Sequence, residues 1–273
     1  MQGNCTQNLK ASIYGHISGT ICLIGHGSIG KAVIPLIKRH FTFDRFVVID
    51  PVDAPKEGVC DKYFPIALTQ ENFVSVLDEA FEGKKGFCVN LSVGTSSREI
   101  TEYCQAREIF YIDTVKEEWK GFYSDPNLSL SVRSNYGLRC TFLDYFQSKN
   151  YKTTAVSCCG ANPGMVSWFV KKALIDIAHE VNYDVSVEPK TKAEWAELMK
   201  NLGVKGIHIA ERDTQKTTLQ RPVGDFWNTW SVDGFISEGF HQAAEAGWGT
   251  HEKWMPASGR QHQFGNQCGI YLL

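Results

Sequence analysis

Ile21-Cys22-Leu23-Ile24-Gly25-His26-Gly27-Ser28-Ile29-Gly30 is the stretch whose reading decides the fold. Its first four residues form a short apolar run that reads as a buried strand. Ile29 to Arg39 follows with helical spacing of apolar residues, and Ser28 is the expected cap. Pro35 lies inside that helix and is expected to bend it. The turn between them is a GxGxxG, in which the first glycine allows a tight turn, the second lets backbone approach a pyrophosphate, and the third lets helix pack on strand. The helix N-terminus adds N–H donors and a positive dipole end suited to phosphates. A lone GxGxxG is a weak signal. Here Asp50 stands twenty residues beyond Gly30, at the end of the next predicted strand, Phe46-Val47-Val48-Ile49. Such an acid is expected to accept hydrogen bonds from ribose hydroxyls and to repel a 2′-phosphate, favouring NAD over NADP. A methyltransferase loop for S-adenosylmethionine and a ligand-free turn are the rival readings. The spacing and the acid together favour the dinucleotide.

Working outward, strands and helices alternate. Glu71 to Phe81 reads as a helix, Gly86 to Val93 as a buried strand, Arg98 to Arg107 as a helix and Ile109 to Ile112 as a strand. Arg133 to Phe146 then reads as a helix and Thr153 to Cys159 as a further strand. Parallel strands cannot be joined by tight turns, so this alternation predicts a doubly wound parallel α/β sheet of the Rossmann type. Met165 to Val181 is the clearest helix, with Val166, Phe169, Val170, Ala173, Leu174, Ile177 and Val181 on one face. Tyr183 to Val187 and Gly206 to Ala210 read as strands around a Thr191–Leu202 helix. The chain of 273 residues suggests two domains. We expect an NAD-binding Rossmann domain over 1–150 and an α+β catalytic domain over 151–273. The C-terminal Gly269-Ile270-Tyr271-Leu272-Leu273 reads as a strand without a tail, so the second domain is expected to be incomplete.

Composition narrows the class. Hydrophobic residues make up 43% and charged residues 21%, which fits a folded chain rather than a disordered one. The net charge of -2 gives no electrostatic support to a nucleic-acid partner. Neither a secretory signal nor an apolar run long enough to cross a bilayer is visible, so a soluble, cytoplasmic enzyme is expected. The nine cysteines contain no CxxC pair, which removes zinc ribbons and thioredoxin-like sites. Cys22, Cys88, Cys158 and Cys159 lie in apolar runs and are expected to act as small hydrophobes in a reducing compartment.

Three further segments could carry chemistry. Asn90-Leu91-Ser92-Val93-Gly94-Thr95-Ser96-Ser97 leaves a strand at the carboxyl edge, where doubly wound sheets bind ligands. Ser96 or Ser97 could cap the next helix, or the turn could lie near a nicotinamide. Asp113-Thr114-Val115-Lys116-Glu117-Glu118-Trp119 also follows a strand, and by itself such a charge run reads as a solvated surface. Gly160-Ala161-Asn162-Pro163-Gly164 precedes the long helix, so Asn162 could present its amide at a crevice, with Pro163 starting the helix. It could equally be a turn without a ligand. Downstream, His208, Glu211 and Asp213 are followed by Trp227, Trp230, Asp233, Glu238 and His241. Acids beside tryptophans suit an organic cation, since an indole face adds about 0.5–2 kcal/mol of cation–π attraction. An aromatic core rimmed by acids is the plainer alternative. A metal held by His208, Glu211 and His241 matches no strong ligand spacing.

Several of these stretches resemble bacterial homospermidine synthases. They are Gly25 to Gly30 with Ala32 to Ile37, Val47-Val48-Ile49-Asp50-Pro51, Asn90-Leu91-Ser92-Val93, Thr95-Ser96-Ser97, Tyr111-Ile112-Asp113-Thr114, Ser134-Asn135-Tyr136 and Gly160 to Ser167. The resemblance runs along nearly the whole chain, and family members are considerably longer. It implies saccharopine reductase-like architecture and condensation of two putrescines, or of related polyamines, into homospermidine with loss of ammonia. NAD would take a hydride and return it, and the enzyme would be a homodimer. By resemblance, Gly25, Gly27, Ser28, Ile29, Gly30, Asp50, Ser92, Val93, Thr95, Thr114 and Asn162 would contact NAD. Glu117, Asn162, Glu211, Trp230 and Glu238 would line the diamine site. Glu211 and Glu238 would handle protons and ammonium groups, and Trp230 would form the cation–π wall. Gly94 stands where the family often carries an acid, and Glu118 where proline is common. A saccharopine- or carboxynorspermidine-type oxidoreductase and a non-enzymatic NAD sensor are the alternatives. No metal is implied.

Overall fold

The computed structural model describes residues 12–52, 54–212, 214, 216–227, 235, 244–246, 259–264 and 267–272. In chain order the elements are β1 (Gly15–Ile24), α1 (Ser28–His40), β2 (Phe41–Ile49), β3 (Lys62–Phe64), α2 (Phe73–Phe81), β4 (Gly86–Asn90), α3 (Ser97–Ala106) and β5 (Phe110–Asp113). Next come α4 (Leu130–Arg133), α5 (Asn135–Gln147), β6 (Ala155–Val156), α6 (Met165–Glu180), α7 (Lys192–Asn201), β7 (Ala244–Ala246), β8 (Gly259–Phe264) and β9 (Gln267–Leu272). Contacts divide the chain into a first unit, 1–157 with 231–273, and a second unit, 158–230.

In the first unit, six parallel strands lie in the order β3-β2-β1-β4-β5-β6. This is the doubly wound arrangement, whose strand order reverses between β1 and β4 and opens a crevice at their carboxyl ends. Both faces of the sheet are buried because alternate residues of a strand point to opposite sides. Ile21 and Leu23 of β1 join Phe46, Val48 and Ile34 on one face. Cys22 and Ile24 join Val47, Ile49, Leu77, Phe81, Ile100 and Cys104 on the other. A second sheet, antiparallel in the order β7-β9-β8, carries the predicted C-terminal strand as β9.

The structure extends and corrects several elements. β1 and β2 begin earlier than their apolar runs, because their first halves alternate between half-buried and exposed. The edge strand β3 is a new element, only three residues long and therefore without a readable period. Gly27, not Ser28, occupies the N-cap of α1, and no side chain caps that end. Pro163 does not start α6, which begins at Met165 behind an N-cap at Gly164. Tyr183 to Val187 is not a strand, since Asp184 accepts a hydrogen bond from Ser186 N–H at 2.9 Å and folds the segment into a local turn. Gly206 to Ala210 is not a strand either, and its Ile207 and Ile209 are exposed rather than packed against a neighbour.

In the second unit, Leu174, Ala178 and Leu198 form a small core with Val170, Ile175, Trp195, Met199 and Leu202 around it. α7 starts in a capping box. Thr191 Oγ1 accepts from Glu194 N–H, and the Glu194 carboxylate accepts from Thr191 N–H. Much of the apolar face predicted for α6 is exposed, including Phe169, Ile177 and Val181. Among the described residues, no helix is long and apolar enough to cross a membrane. Cys22 and Cys88 are buried as expected, and burial pushes the Cys22 thiol up. Cys158 is only partly buried and Cys159 is exposed, so these two are not core hydrophobes.

Candidate functional site

The crevice at the strand-order reversal is built by the three glycines, each in a different way. Gly25 turns the chain out of β1 with φ +92°, and a side chain there would meet Leu91 and Ser92 backbone at 2.8 Å. Gly30 lets α1 press on the turn, for its Cβ would lie 2.2 Å from the Gly25 carbonyl oxygen. At Gly27 a Cβ would meet nothing within 4 Å, so the close-packed glycines flank an open one. The first turn of α1 holds no acid and has no side-chain cap, leaving backbone N–H groups and the positive dipole end directed outward. An uncapped helix end beside an open glycine fits a pyrophosphate, with Gly27, Ser28 and Ile29 supplying the cradle.

Asp50 follows β2 on one side of this cradle. Its Oδ2 accepts from His26 N–H at 2.7 Å and its Oδ1 from Val52 N–H at 2.8 Å. A carboxylate oxygen can accept two hydrogen bonds, so these contacts are compatible with ribose hydroxyls on the same group.

On the other side, the carboxyl ends of β4 and β5 carry a polar network. Asn90, 4% exposed, donates from Nδ2 to Thr95 Oγ1 at 3.3 Å and to the Tyr111 hydroxyl at 3.2 Å. Its Oδ1 accepts from the Ser92 hydroxyl at 2.6 Å, and Ser92 Oγ lies 2.8 Å from Thr95 Oγ1. Of the predicted cofactor residues here, Val93 is exposed, Ser92 and Thr114 are half-buried, and Thr95 is buried within the network. Ser96 caps α3 by accepting from Glu99 N–H at 3.3 Å.

The charge run after β5 is not a solvated surface. Asp113 is 2% exposed, residues 114–119 are partly buried, and Trp119 packs on the core against Phe73. The run is pinned through Ser97, whose Oγ donates to the Val115 carbonyl and accepts from Glu117 N–H. Glu117 accepts from the Tyr123 hydroxyl at 3.2 Å. Burial raises the Glu118 carboxyl, opposed by a hydrogen bond from Ser96 and the Arg98 charge. Ser97, Lys116, Glu117, Glu118 and Phe142 line one small recess.

In the second unit, the turn around Asn162 closes on itself. Gly160 N–H donates to the Pro163 carbonyl at 2.9 Å and Met165 N–H to the Gly160 carbonyl at 2.8 Å. The Asn162–Pro163 bond is cis, and Asn162 is exposed. Glu211 and His208 are also exposed. Trp230, Asp233, Glu238 and His241 lie outside the described residues, as does Asp213. Among the described residues, no group of three or more His, Cys, Asp or Glu side chains could hold a metal ion. The residues that sequence reasoning missed are Tyr111, Asp113 and Ser157 as members of the network. The signal for the first two was their alternation at the end of an apolar strand, which puts both on one face.

Comparison with known proteins adds a family to this geometry. Residues 21–156 match the saccharopine dehydrogenase NADP binding domain, and residues 160–272 match the saccharopine dehydrogenase C-terminal domain. Homospermidine synthase from Blastochloris viridis is 52% identical over 270 residues, covering 96% of this chain and 56% of that protein. Homospermidine synthase from Mesorhizobium japonicum is 48% identical over 268 residues, covering 95% and 55%. The crystal structure of homospermidine synthase from Legionella pneumophila in complex with NAD superposes with a TM-score of 0.75 at 33% identity, covering 96% of this chain and 55% of that one. The chain thus spans about half the length of the curated relatives it matches.

Proposed function

The chain belongs to the saccharopine dehydrogenase family as a homologue of the homospermidine synthases, and from that premise we propose that it binds NAD and serves the condensation of putrescine to homospermidine. The observation that carries the reading is the cradle of Gly25, Gly27 and Gly30 at the uncapped end of α1, beside Asp50. Bound there, NAD would supply a hydride acceptor that later returns the hydride. In this assignment 1–150 forms the cofactor domain and 151–273 the substrate domain.

The reaction imposes requirements to which the proposed residues are assigned. A carbon beside an amine gives up hydride only when that amine is unprotonated, so a carboxylate must first take its proton. The resulting imine is attacked by the free amine of a second putrescine, and ammonia leaves. Reduction of the new imine gives homospermidine, so two putrescines become one homospermidine and one ammonia with no net redox change. Glu211 and Glu238 are the proposed proton acceptors and ammonium ligands, and Glu117 is proposed to line the diamine site. Trp230 supplies the indole face for the distal cation, and Asn162 the orienting amide. The amino-acid substrates of a saccharopine-type oxidoreductase carry carboxylates and call for Arg or Lys in these places instead.

Incubated with putrescine and a trace of NAD⁺, the protein is expected to release homospermidine and ammonia in equal amounts without net NADH. Stoichiometric accumulation of NADH would overturn the synthase in favour of an oxidoreductase, and tight NAD binding without turnover would favour a sensor.

A further inference from the structure

Among the described residues, Asp113 is the only carboxylate buried to within 2% of full enclosure, and the reaction as proposed gives it no task. It closes β5, where it lies in register with Asn90 of β4. Its Oδ2 accepts from the Tyr111 hydroxyl at 2.8 Å. Ser157 Oγ, just beyond β6, stands 2.8 Å from Oδ1 and 3.0 Å from Oδ2. Behind these donors stand two more. Asn90 donates to the Tyr111 hydroxyl at 3.2 Å, and Lys116 Nζ lies 3.4 Å from Ser157 Oγ. The Lys116 ammonium also sits 4.5 Å from the centre of the Phe142 ring.

The direction of these bonds is informative. A phenol that donates to Asp113 has its oxygen open to Asn90, and a serine that donates to Asp113 has its oxygen open to Lys116. From both sides the hydrogens run towards the acid, which is how a site is arranged to keep a carboxylate ionised. Burial and then the Asp113 charge hold the Tyr111 phenol well above its ordinary range, so that it remains a donor. A buried charge is a poor way to stabilise a fold, because removing it from water offsets most of what its partners return. A fixed charge in a low-dielectric wall does act strongly on charge that changes nearby.

In a doubly wound sheet the two halves of a dinucleotide lie on either side of the strand-order reversal. With Asp50 on the β2 side, the nicotinamide half falls to the β4 and β5 side, whose polar edge leads from Ser92 and Thr95 through Asn90 and Tyr111 to Asp113. The oxidised nicotinamide ring is a cation and the reduced ring is neutral. Resting on the NAD assignment made above, we infer that Asp113 is a positioning residue whose fixed negative charge biases the site towards the oxidised dinucleotide. Lys116, acting through Ser157, tempers that bias. A site that must take a hydride before it can return one is thereby held ready for the first transfer.

The test is the ratio of affinities for NAD⁺ and NADH, read by NADH fluorescence titration and competition with NAD⁺. Asp113→Asn is expected to shift that ratio towards NADH by about threefold to tenfold. Lys116→Met is expected to shift it the opposite way. A purely structural role would weaken both forms alike, so an unchanged ratio in a folded Asp113→Asn protein overturns the inference. If Asp113→Asn fails to fold, Lys116→Met decides, and an unchanged ratio or a shift towards NADH overturns it. If the unsubstituted protein binds neither dinucleotide, the NAD assignment itself falls, which separates that failure from this one.

Discussion

The two units differ in how they hold themselves together. The parallel sheet buries side chains on both faces, with Leu77, Ile100, Val47, Val48, Ile21 and Leu23 at 0% exposure. The α6–α7 pair has Leu174, Ala178 and Leu198 as its buried core among the described residues, while Trp168 and Phe169 of α6 are 68% and 58% exposed. Each fully buried aliphatic side chain contributes about 1.5–3 kcal/mol of transfer free energy, so the contrast is one of stability as well as shape. The proposed cofactor cradle belongs to the densely packed unit, and the Asn162 turn and Glu211 belong to the lightly packed one. Local opening is therefore expected first in residues 158–230, where few apolar contacts oppose it.

Substitutions can break or sharpen that contrast. Leu77→Ala, in the middle of the sheet core, should cost about 3–5 kcal/mol in urea unfolding. Leu174→Ala, 5% exposed among half-buried neighbours that can collapse onto the gap, should cost only about 2 kcal/mol. A larger loss at Leu174 than at Leu77 would show that the second unit is the better packed of the two. Asp50→Ala should reduce the preference for NAD over NADP by about tenfold in binding titrations, as expected when the ribose acceptor is lost. An unaltered preference would remove that role. Thr191→Ala breaks the capping box of α7 and should cost about 1 kcal/mol. Faster amide exchange should be confined to the second unit, and a loss spread over the sheet would contradict their separate packing.

The smallest effect is expected at Glu118 and depends on pH. Burial raises its carboxyl in the folded chain, so the folded state keeps a proton that the unfolded state has already released. Its contribution to stability is therefore full at low pH and declines as pH rises through and above the ordinary glutamate range. Glu118→Gln should be more stable than the parent at neutral pH, with the advantage vanishing on acidification. Paired unfolding curves across that range check the sign, and an advantage that grows on acidification would refute it.

The sheet was legible in the sequence because its apolar runs are buried on both faces and need no partner elsewhere to be recognised. Val47 to Ile49 and Ile21 to Ile24 sit where their hydrophobicity demands. The glycine loop was legible for a different reason, since close approach at Gly25 and Gly30 leaves no room for another residue. What escaped was set by local polar competition or by long-range polar pairing. Asp184 turns an apparent strand into a bend through one hydrogen bond to Ser186. The charge run at 113–119 looked solvated because no periodicity announces that Ser97, twenty residues before Glu117, ties it inward. Ser157 is forty-four residues from the Asp113 it serves, a pairing that only the folded sheet brings about.

Asp50 holds the backbone of His26, inside the glycine turn, and that of Val52, just past the strand it follows. One side chain thus clasps the loop and is also, in the proposed NAD site, the acceptor for the ribose. Retuning this protein towards a phosphorylated coenzyme by exchanging that acid would also undo the clasp. Any such redesign has to supply the His26 amide with another acceptor if the loop is to keep its shape while the preference changes.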